Sequence, residues 1–478
     1  MRVLMLGWEF PPHISGGLGT ACHGLTHGLA RIGVDVTFVV PRAFGDEDKG
    51  AVRILGLNEV ALEVPAPAPE VEAVPPVPEP GPEPAPDVAP RAAVEARPAR
   101  APERRVLAID SALLPYLTSE TYAARVAALD APVAARPDEP VPSTPAPAAP
   151  PAPVGDAARR VEVARGAAGL SGVYGPDLLA EVRRYAEVVA QVARTETFDV
   201  IHAHDWMTYP AGIAAKLVSG RPLVAHVHAC EHDRSGPTPN PAILAIEQEG
   251  LRAADRVICV SHYTEGIVRS RYGTDAAKIR VVHNAVTRRE QVEGWHVAKA
   301  IEEPVVLFLG RVTYQKGPVY FLEAAARVVR ALPGVRFVMS GSGDMLPRMV
   351  ERAASMGLAR HVRFTGFLSG AEVERMYALA DLYVMPSVSE PFGISPLEAM
   401  ALDVPVIVSR QSGVAEILRS ALKVDYWDVE DLANKILAVI KRPALKVALT
   451  SEGREELKGM RWEVRARLVL DVYDEVAA

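Results

Sequence analysis

Cysteine is scarce, with only Cys22, Cys230 and Cys259 in a chain of 478 residues. The three are far apart, odd in number and never in a C-x-x-C arrangement, which argues against both a disulfide framework and a thiolate zinc site. Long apolar runs are missing too. No stretch approaches the ~18 to 20 uninterrupted apolar residues that span a bilayer, so no integral membrane segment is expected. Basic runs are equally absent: 52 Lys+Arg stand against 59 Asp+Glu for a formal net charge of −7. That balance argues against nucleic acid or an anionic membrane as the main partner. The N-terminus lacks the basic region, apolar core and small-residue cleavage site of a signal peptide, so a cytoplasmic location is expected.

Proline is in excess. The chain holds 41 prolines, against roughly 24 at average usage. Residues 61–160 contain 23 of them, mixed with alanine, glutamate and valine, as in APAPEVEAVPPVPEPGPEPAPDVAP. Such sequence forms no ladders and buries no core, so about 61–103 and 129–160 are expected to be disordered insertions. The stretch 104–128 between them regains a strand-like run and a helical spacing, and reads as part of the fold.

The rest alternates short apolar runs with amphipathic helices. VLMLGW, HISGGLGT, ACHGLTHGLARIG and VDVTFVV read as strand, glycine-rich turn, helix and strand. A first series continues through DVIHAH, PLVAHVH and DRVICVS, and a second runs from PVVLFLGRV to ANKILAVI. The fold class is therefore α/β, with two Rossmann-like doubly wound parallel sheets facing a cleft. The expected domains are 1–290, 300–460 and a helix over 461–478 returning to the first domain, with a hinge near 286–303. In such sheets ligands bind beyond the carboxyl ends of the strands, where the polar clusters of this chain fall.

Each cluster admits a functional and a purely structural reading. Gly16, Gly17 and Gly19 lie between a strand and a helix, where backbone N–H groups can hold a phosphate, or where a tight turn needs positive φ. Arg311 and Lys316 in GRVTYQKG follow a strand. Two fixed cations there suit a diphosphate, and they could equally be solvated loop charges. In SEPFGISPLEAM, Ser395, Pro396 and Glu398 spell a helix start with a capping box. That leaves Glu390 and the Phe392-Gly393 pair unexplained. Backbone donors at Gly393, Ile394 and Ser395 suit an anion, and Glu390 beside it suits sugar hydroxyls. His202 and His204 share one face of a strand, as do His226 and His228 of another. With Asp205, Glu231, His232 and Asp233 nearby they could form a metal site, or be buried structural histidines.

Taken together, GWEFPPHISGGLGTACHGLTHGLA, DVIHAHDWMTYPAGIAAK, VICVSHYT, VVHNAV, GRVTYQKG and SEPFGISPLEAMALDVPVIVS resemble the retaining GT-B glycosyltransferases of the group 1 and glycogen/starch synthase type. The resemblance covers nearly the whole chain outside the proline-rich insertion. Its most specific element is the E-x7-E motif from Glu390 to Glu398. The resemblance implies that Gly16 and Gly17 approach the diphosphate and that Arg311 and Lys316 neutralise the leaving group. It also implies that Glu398 takes the ribose hydroxyls, and that Glu390 contacts the donor sugar. Gly393, Ile394 and Ser395 would line the phosphate and sugar. His228 and Asp205 align with the family's active-site histidine and the aspartate of the HAHDW loop.

The implied activity is metal-independent transfer of glucose, with retention, from UDP- or ADP-glucose to the non-reducing end of an α-1,4-glucan. No cofactor is implied beyond the nucleotide sugar, and no D-x-D carboxylate pair follows a strand. The implied partners are that donor and an α-glucan acceptor. Alternatives are a mannosyl or envelope-polysaccharide transferase, a metal-dependent hydrolase using the histidine pairs, and a non-catalytic sugar-binding protein. One departure stands out: glycogen and starch synthases carry lysine-threonine where this chain has Ile14 and Ser15.

Overall fold

The computed structural model describes residues 1–13, 16–47, 52–59, 170–172, 174–175, 177–286 and 301–477. The expected disordered stretches 61–103 and 129–160, the island 104–128, the pair Ile14 and Ser15, and most of the expected hinge lie outside the described residues.

The first half runs β1 (Arg2–Leu6), α1 (Gly17–Arg31), β2 (Asp35–Val40), β3 (Arg53–Gly56), α2 (Leu178–Thr195), β4 (Val200–His204) and α3 (Tyr209–Ser219). It continues through β5 (Leu223–Val227), α4 (Glu231–Ser235), α5 (Pro241–Ala253), β6 (Arg256–Cys259), α6 (His262–Tyr272) and β7 (Ile279–Val281). The seven strands are parallel in the order β3-β2-β1-β4-β5-β6-β7. β4 and β5 are buried at every residue, which is why they read as near-continuous apolar runs.

The second half comprises β8 (Val305–Leu309), α7 (Pro318–Ala331), β9 (Arg336–Ser340), α8 (Leu346–Ser355), β10 (Val362–Gly366), α9 (Ala371–Leu379) and β11 (Leu382–Met385). Then follow α10 (Ser395–Ala401), β12 (Val406–Ser409), α11 (Val414–Ile417), β13 (Leu422–Val424), α12 (Val429–Lys441), α13 (Pro443–Leu457) and α14 (Trp462–Ala477). Its six parallel strands are ordered β10-β9-β8-β11-β12-β13. Each sheet reverses its strand order beside its own first strand, between β1 and β4 and between β8 and β11. Those two switch points are where a doubly wound sheet opens a crevice for ligands.

α14 follows the second sheet in sequence and packs on the first domain. Trp462, Ala466, Val469, Val472 and Tyr473 are buried in one cluster with Cys22, Leu25 and Leu29 of α1. The helices meet over glycine: a Cβ on Gly28 would lie 2.7 Å from the Trp462 carbonyl oxygen. Glu475 accepts from Arg256 Nε at 2.8 Å and Arg280 Nη2 at 2.6 Å, fixing the far end of the helix. The two chain crossings between domains also touch, the Val286 N–H donating to the Met460 carbonyl at 3.3 Å. The three cysteines are free and buried. Among the described residues no helix is long and apolar enough to cross a membrane.

Candidate active site

The loop after β1 reaches the first switch point. Its buried Glu9 accepts the Gly19 N–H at 3.1 Å and the Tyr174 hydroxyl at 3.0 Å, so a carboxylate occupies part of the first turn of α1. Gly16 has φ −172°, extended backbone open to any residue, and Gly17 has no positive φ. A Cβ on either would meet nothing within 4 Å. Neither strain nor packing requires these glycines, which removes the tight-turn explanation and leaves the open space in front of the backbone.

The ends of β4 and β5 hold the histidines. His202 and His204 stack at 4.3 Å between ring centroids, and His226 and His228 at 4.2 Å, so each pair shares a face as period-two alternation requires. The strands are joined through the rings: His204 Nδ1 lies 2.9 Å from His228 Nε2, and His202 Nε2 lies 3.1 Å from His226 Nδ1. His202 Nδ1 then meets the Tyr473 hydroxyl of α14 at 2.6 Å. Ring nitrogens of His202, His204 and His226 fall within 4.8 Å of one another, as do donor atoms of Cys22, His204 and His228. The neighbouring carboxylates are engaged elsewhere. Asp205, with φ +60°, accepts the His228 N–H at 2.7 Å and the Ala229 N–H at 3.2 Å, and meets Arg234 Nη2 at 3.3 Å. It therefore sets the position of His228 through the backbone. Glu231 accepts from Ser235 and from the Asn240 N–H, and Asp233 from the Cys230 N–H.

Burial keeps the histidines neutral. It pushes His202 down to about 3 and His204 and His226 well below the ordinary value; His228 is lowered chiefly by burial, with Asp205 opposing. Burial raises two carboxyls, Asp233 to about 6 and Glu247 to about 7. A histidine whose folded pKa is depressed gives stability that is present above 6.5 and lost as pH falls, up to about 1.4 kcal/mol per pH unit each. The two carboxyls act oppositely, losing their contribution as pH rises through about 6 and about 7. Four histidines outweigh two carboxyls, so the thermal midpoint is expected to fall from pH 7 to pH 5. His226→Leu should flatten that fall by one proton, and an unchanged slope would show that the array is already charged.

In the second domain the loop after β8 carries Arg311 and Lys316. Arg311 Nη2 donates to Gln315 Oε1 at 2.9 Å, and Lys316 Nζ lies 2.5 Å from Glu390 Oε2, which also accepts the Ser387 hydroxyl at 3.0 Å. Gly393 has φ +98°, which only glycine adopts at low cost, and so turns the chain from Glu390 into α10. Here the capping box fails. The helix begins at Ser395 with Ile394 at its N-cap position, and no side chain caps it. Glu398 Oε2 instead lies 3.2 Å from the Tyr377 hydroxyl, whose proton is shared with the Ser395 carbonyl at 3.3 Å. A hydroxyl from α9 thus engages the Glu398 carboxylate, and the first N–H groups of α10 keep no side-chain cap.

The two halves of the site are stitched together by contacts that local pattern does not reveal. Ser389, adjacent to Glu390, donates to Asp233 Oδ1 at 2.5 Å and lies 3.0 Å from the Tyr263 hydroxyl. The Ser261 hydroxyl donates to the Pro391 carbonyl at 2.5 Å. Glu416 of the second domain accepts the first N–H groups of α6, from His262 at 3.0 Å and Tyr263 at 2.5 Å. Glu9, Ser389 and Glu416 thus join the predicted residues, the serine preceding Glu390 being the available signal, and Asp233, named beside the histidines, instead holds Ser389.

Two switch points therefore face each other, one lined by open glycines and a histidine, the other by paired cation and carboxylate. Residues 293–456 match the model for glycosyl transferases group 1, 141–289 that for glycosyltransferase family 4, and 2–72 that for the starch synthase catalytic domain. The D-inositol 3-phosphate glycosyltransferase of Rhodococcus opacus (strain B4) is 32% identical over 349 residues, 67% of this chain and 78% of that protein. The chain belongs to the group 1 glycosyltransferases. This glycosyltransferase is also 35% identical over 237 residues to the glycosyltransferase MJ1607 of Methanocaldococcus jannaschii, and that match spans 47% of this chain and 60% of that protein. The glycogen synthase of Mycobacterium tuberculosis (strain H37Rv) is 28% identical over 286 residues, 58% of this chain and 68% of that protein. In fold the glycosyltransferase is similar to sucrose-phosphate synthase from Thermosynechococcus elongatus, with TM-score 0.63, 17% identity, and 99% and 98% of the two chains covered.

Proposed function

We propose that this glycosyltransferase moves glucose with retention from UDP- or ADP-glucose to the non-reducing end of an α-1,4-glucan, without a metal. The observation that carries the reading is the Lys316–Glu390 pair at the second switch point, beside Arg311 and the first turn of α10. As the bond from the anomeric carbon to the diphosphate oxygen breaks, positive charge grows on the sugar and negative charge on the diphosphate. Preplaced cations and backbone donors aimed at that charge are the main requirement. Glu390 accepts a hydrogen bond from one of the three ammonium N–H groups of Lys316, which leaves two for a diphosphate. Arg311 adds a planar fork, and Gly16 and Gly17 offer bare backbone from the opposite domain. Gly393, Ile394 and Ser395 line the phosphate and sugar, Glu398 takes the ribose hydroxyls, and Glu390 and His228 face the donor sugar, with Asp205 holding His228 in place. The acceptor hydroxyl attacks from the side the diphosphate leaves, and the departing phosphate oxygen takes its proton, so no protein general base is assigned.

The acceptor is read from the first domain. Its cleft-side loops carry Glu9, Asp46, Glu47, Asp205, Glu231 and Asp233 against Arg42, whose guanidinium lies over the Phe44 ring, and Arg234, which is consumed by Asp205 and Glu247. Such loops suit a neutral, hydroxyl-rich acceptor better than a phosphorylated one. The protein is therefore to be incubated with UDP-glucose, ADP-glucose and GDP-mannose, each with glycogen or inositol phosphate, and with or without EDTA. Nucleotide release that needs glycogen and survives EDTA is expected. Release that needs inositol phosphate would overturn the acceptor, and EDTA-sensitive hydrolysis would overturn the mechanism.

A further inference from the structure

The four-histidine array has one property that the transfer reading leaves unused. His204 is completely buried, and its Nδ1 is committed to His228 Nε2 at 2.9 Å. Its other nitrogen, Nε2, is buried with no hydrogen-bond partner. His228, half-buried just beyond β5, has no hydrogen-bond partner for its Nδ1 among the described residues, and that atom is absent from the buried unpaired groups. In a hydrogen bond between two neutral imidazoles one nitrogen donates and the other accepts, so the proton positions on both rings are linked.

The orphan nitrogen decides the direction. An unpaired buried N–H is rarer in folded proteins than an under-used acceptor, so Nε2 of His204 carries the lone pair. The proton of His204 is then on Nδ1, where it donates to His228 Nε2. This leaves His228 with its own proton on Nδ1.

We infer that His204 is a positioning residue that locks His228 in the Nδ1–H tautomer, so that His228 presents an N–H donor to an oxygen of the bound sugar in the cleft. The inference rests on the transfer reading only for the identity of that oxygen. A donor suits a sugar hydroxyl used as an acceptor, and a neutral ring adds no positive charge beside an anomeric carbon that is itself becoming positive. The alternative tautomer would present a lone pair and leave an unpaired N–H inside the array.

The tautomer is measurable without activity. Nitrogen-15 NMR of the full chain labelled at histidine, with the His228 signals assigned from a His228→Gln variant, is expected to show a protonated Nδ1 and a bare Nε2 at neutral pH. A proton on Nε2 would overturn the inference. His204→Leu is expected to mix the two tautomers at His228. It should also lower kcat about tenfold to a hundredfold, the scale on which outer partners of a functional histidine act, while KM for the sugar nucleotide stays within about twofold. His204→Asn, whose amide nitrogen can reach the place of Nδ1, is expected to restore most of the turnover. Full turnover with a wild-type tautomer in the leucine variant would also overturn the inference. Should the leucine variant fail to fold, the wild-type spectrum and the asparagine variant still decide. Absence of transfer by the wild type from any sugar nucleotide would overturn the transfer reading alone, since the tautomer is read independently.

Discussion

Lys316→Ala is expected to lower turnover with the sugar nucleotide by about 10² to 10³, or ~3 kcal/mol, the usual effect of removing one group aimed at developing charge. The substitution has a second consequence, because Lys316 also neutralises Glu390, which is buried and, among the described residues, otherwise accepts only from Ser387. A carboxylate stripped of its cation in such a place destabilises the fold, so a simple loss of activity would be ambiguous. Pairing Lys316→Ala with Glu390→Gln separates the two effects. The double variant should regain the thermal midpoint of the wild type and remain as inactive as the single one. Recovery of turnover in the double variant would sink the leaving-group role and leave Lys316 as a structural counter-ion.

The second large effect is expected at a residue remote from the chemistry. Gly28→Val places a branched side chain where the Trp462 carbonyl already lies 2.7 Å from an added Cβ. Backbone cannot step aside as a side-chain tip can, so α14 must lift from α1. Doing so exposes Trp462, Ala466, Val469, Val472 and Tyr473. Full burial of one large aliphatic side chain contributes about 1.5 to 3 kcal/mol, so the expected loss exceeds 3 kcal/mol. The loss is read as a drop in the unfolding midpoint together with new proteolytic cleavage near residue 462. A midpoint within a degree or two of the wild type would show that the helix contributes little.

Much of this was legible in the sequence for identifiable reasons. Strands such as VIHAH and LVAHV are buried on both faces, so they appear as compact apolar runs, and the residues that follow them fall at the carboxyl ends where the cleft forms. The paired histidines were legible because a period of two puts them on one face. What failed was local inference about contacts that are not local. SPLE spells a capping box, yet the Glu398 carboxylate meets Tyr377 instead. Gly16 and Gly17 suggested a turn with positive φ, and the backbone there is ordinary. Asp205 aligns with the aspartate of the HAHDW loop, but that string does not reveal that its oxygens accept from the backbone of His228 and Ala229 and meet Arg234. Glu9 and Ser389 lie inside recognisable strings that do not reveal their partners, and Glu416 lies in none; the partners of Ser389 and Glu416 are fixed only when the two domains meet.

The placement of α14 also governs when the molecule can be finished. During synthesis domains ordinarily fold as units, the N-terminal one first. Here the first sheet has all seven of its strands by Val281, yet one wall of its core is supplied by residues 462–477. Until residues 462–477 have been made, α1 has no cover over Gly24 and Gly28, and His202 has no Tyr473 to meet. The first of the two sheets is therefore completed only after the second has been made, and the cleft does not assemble before α14. Removal of α14 therefore opens the core of the earlier-translated of the two domains, although the helix follows the later one in sequence.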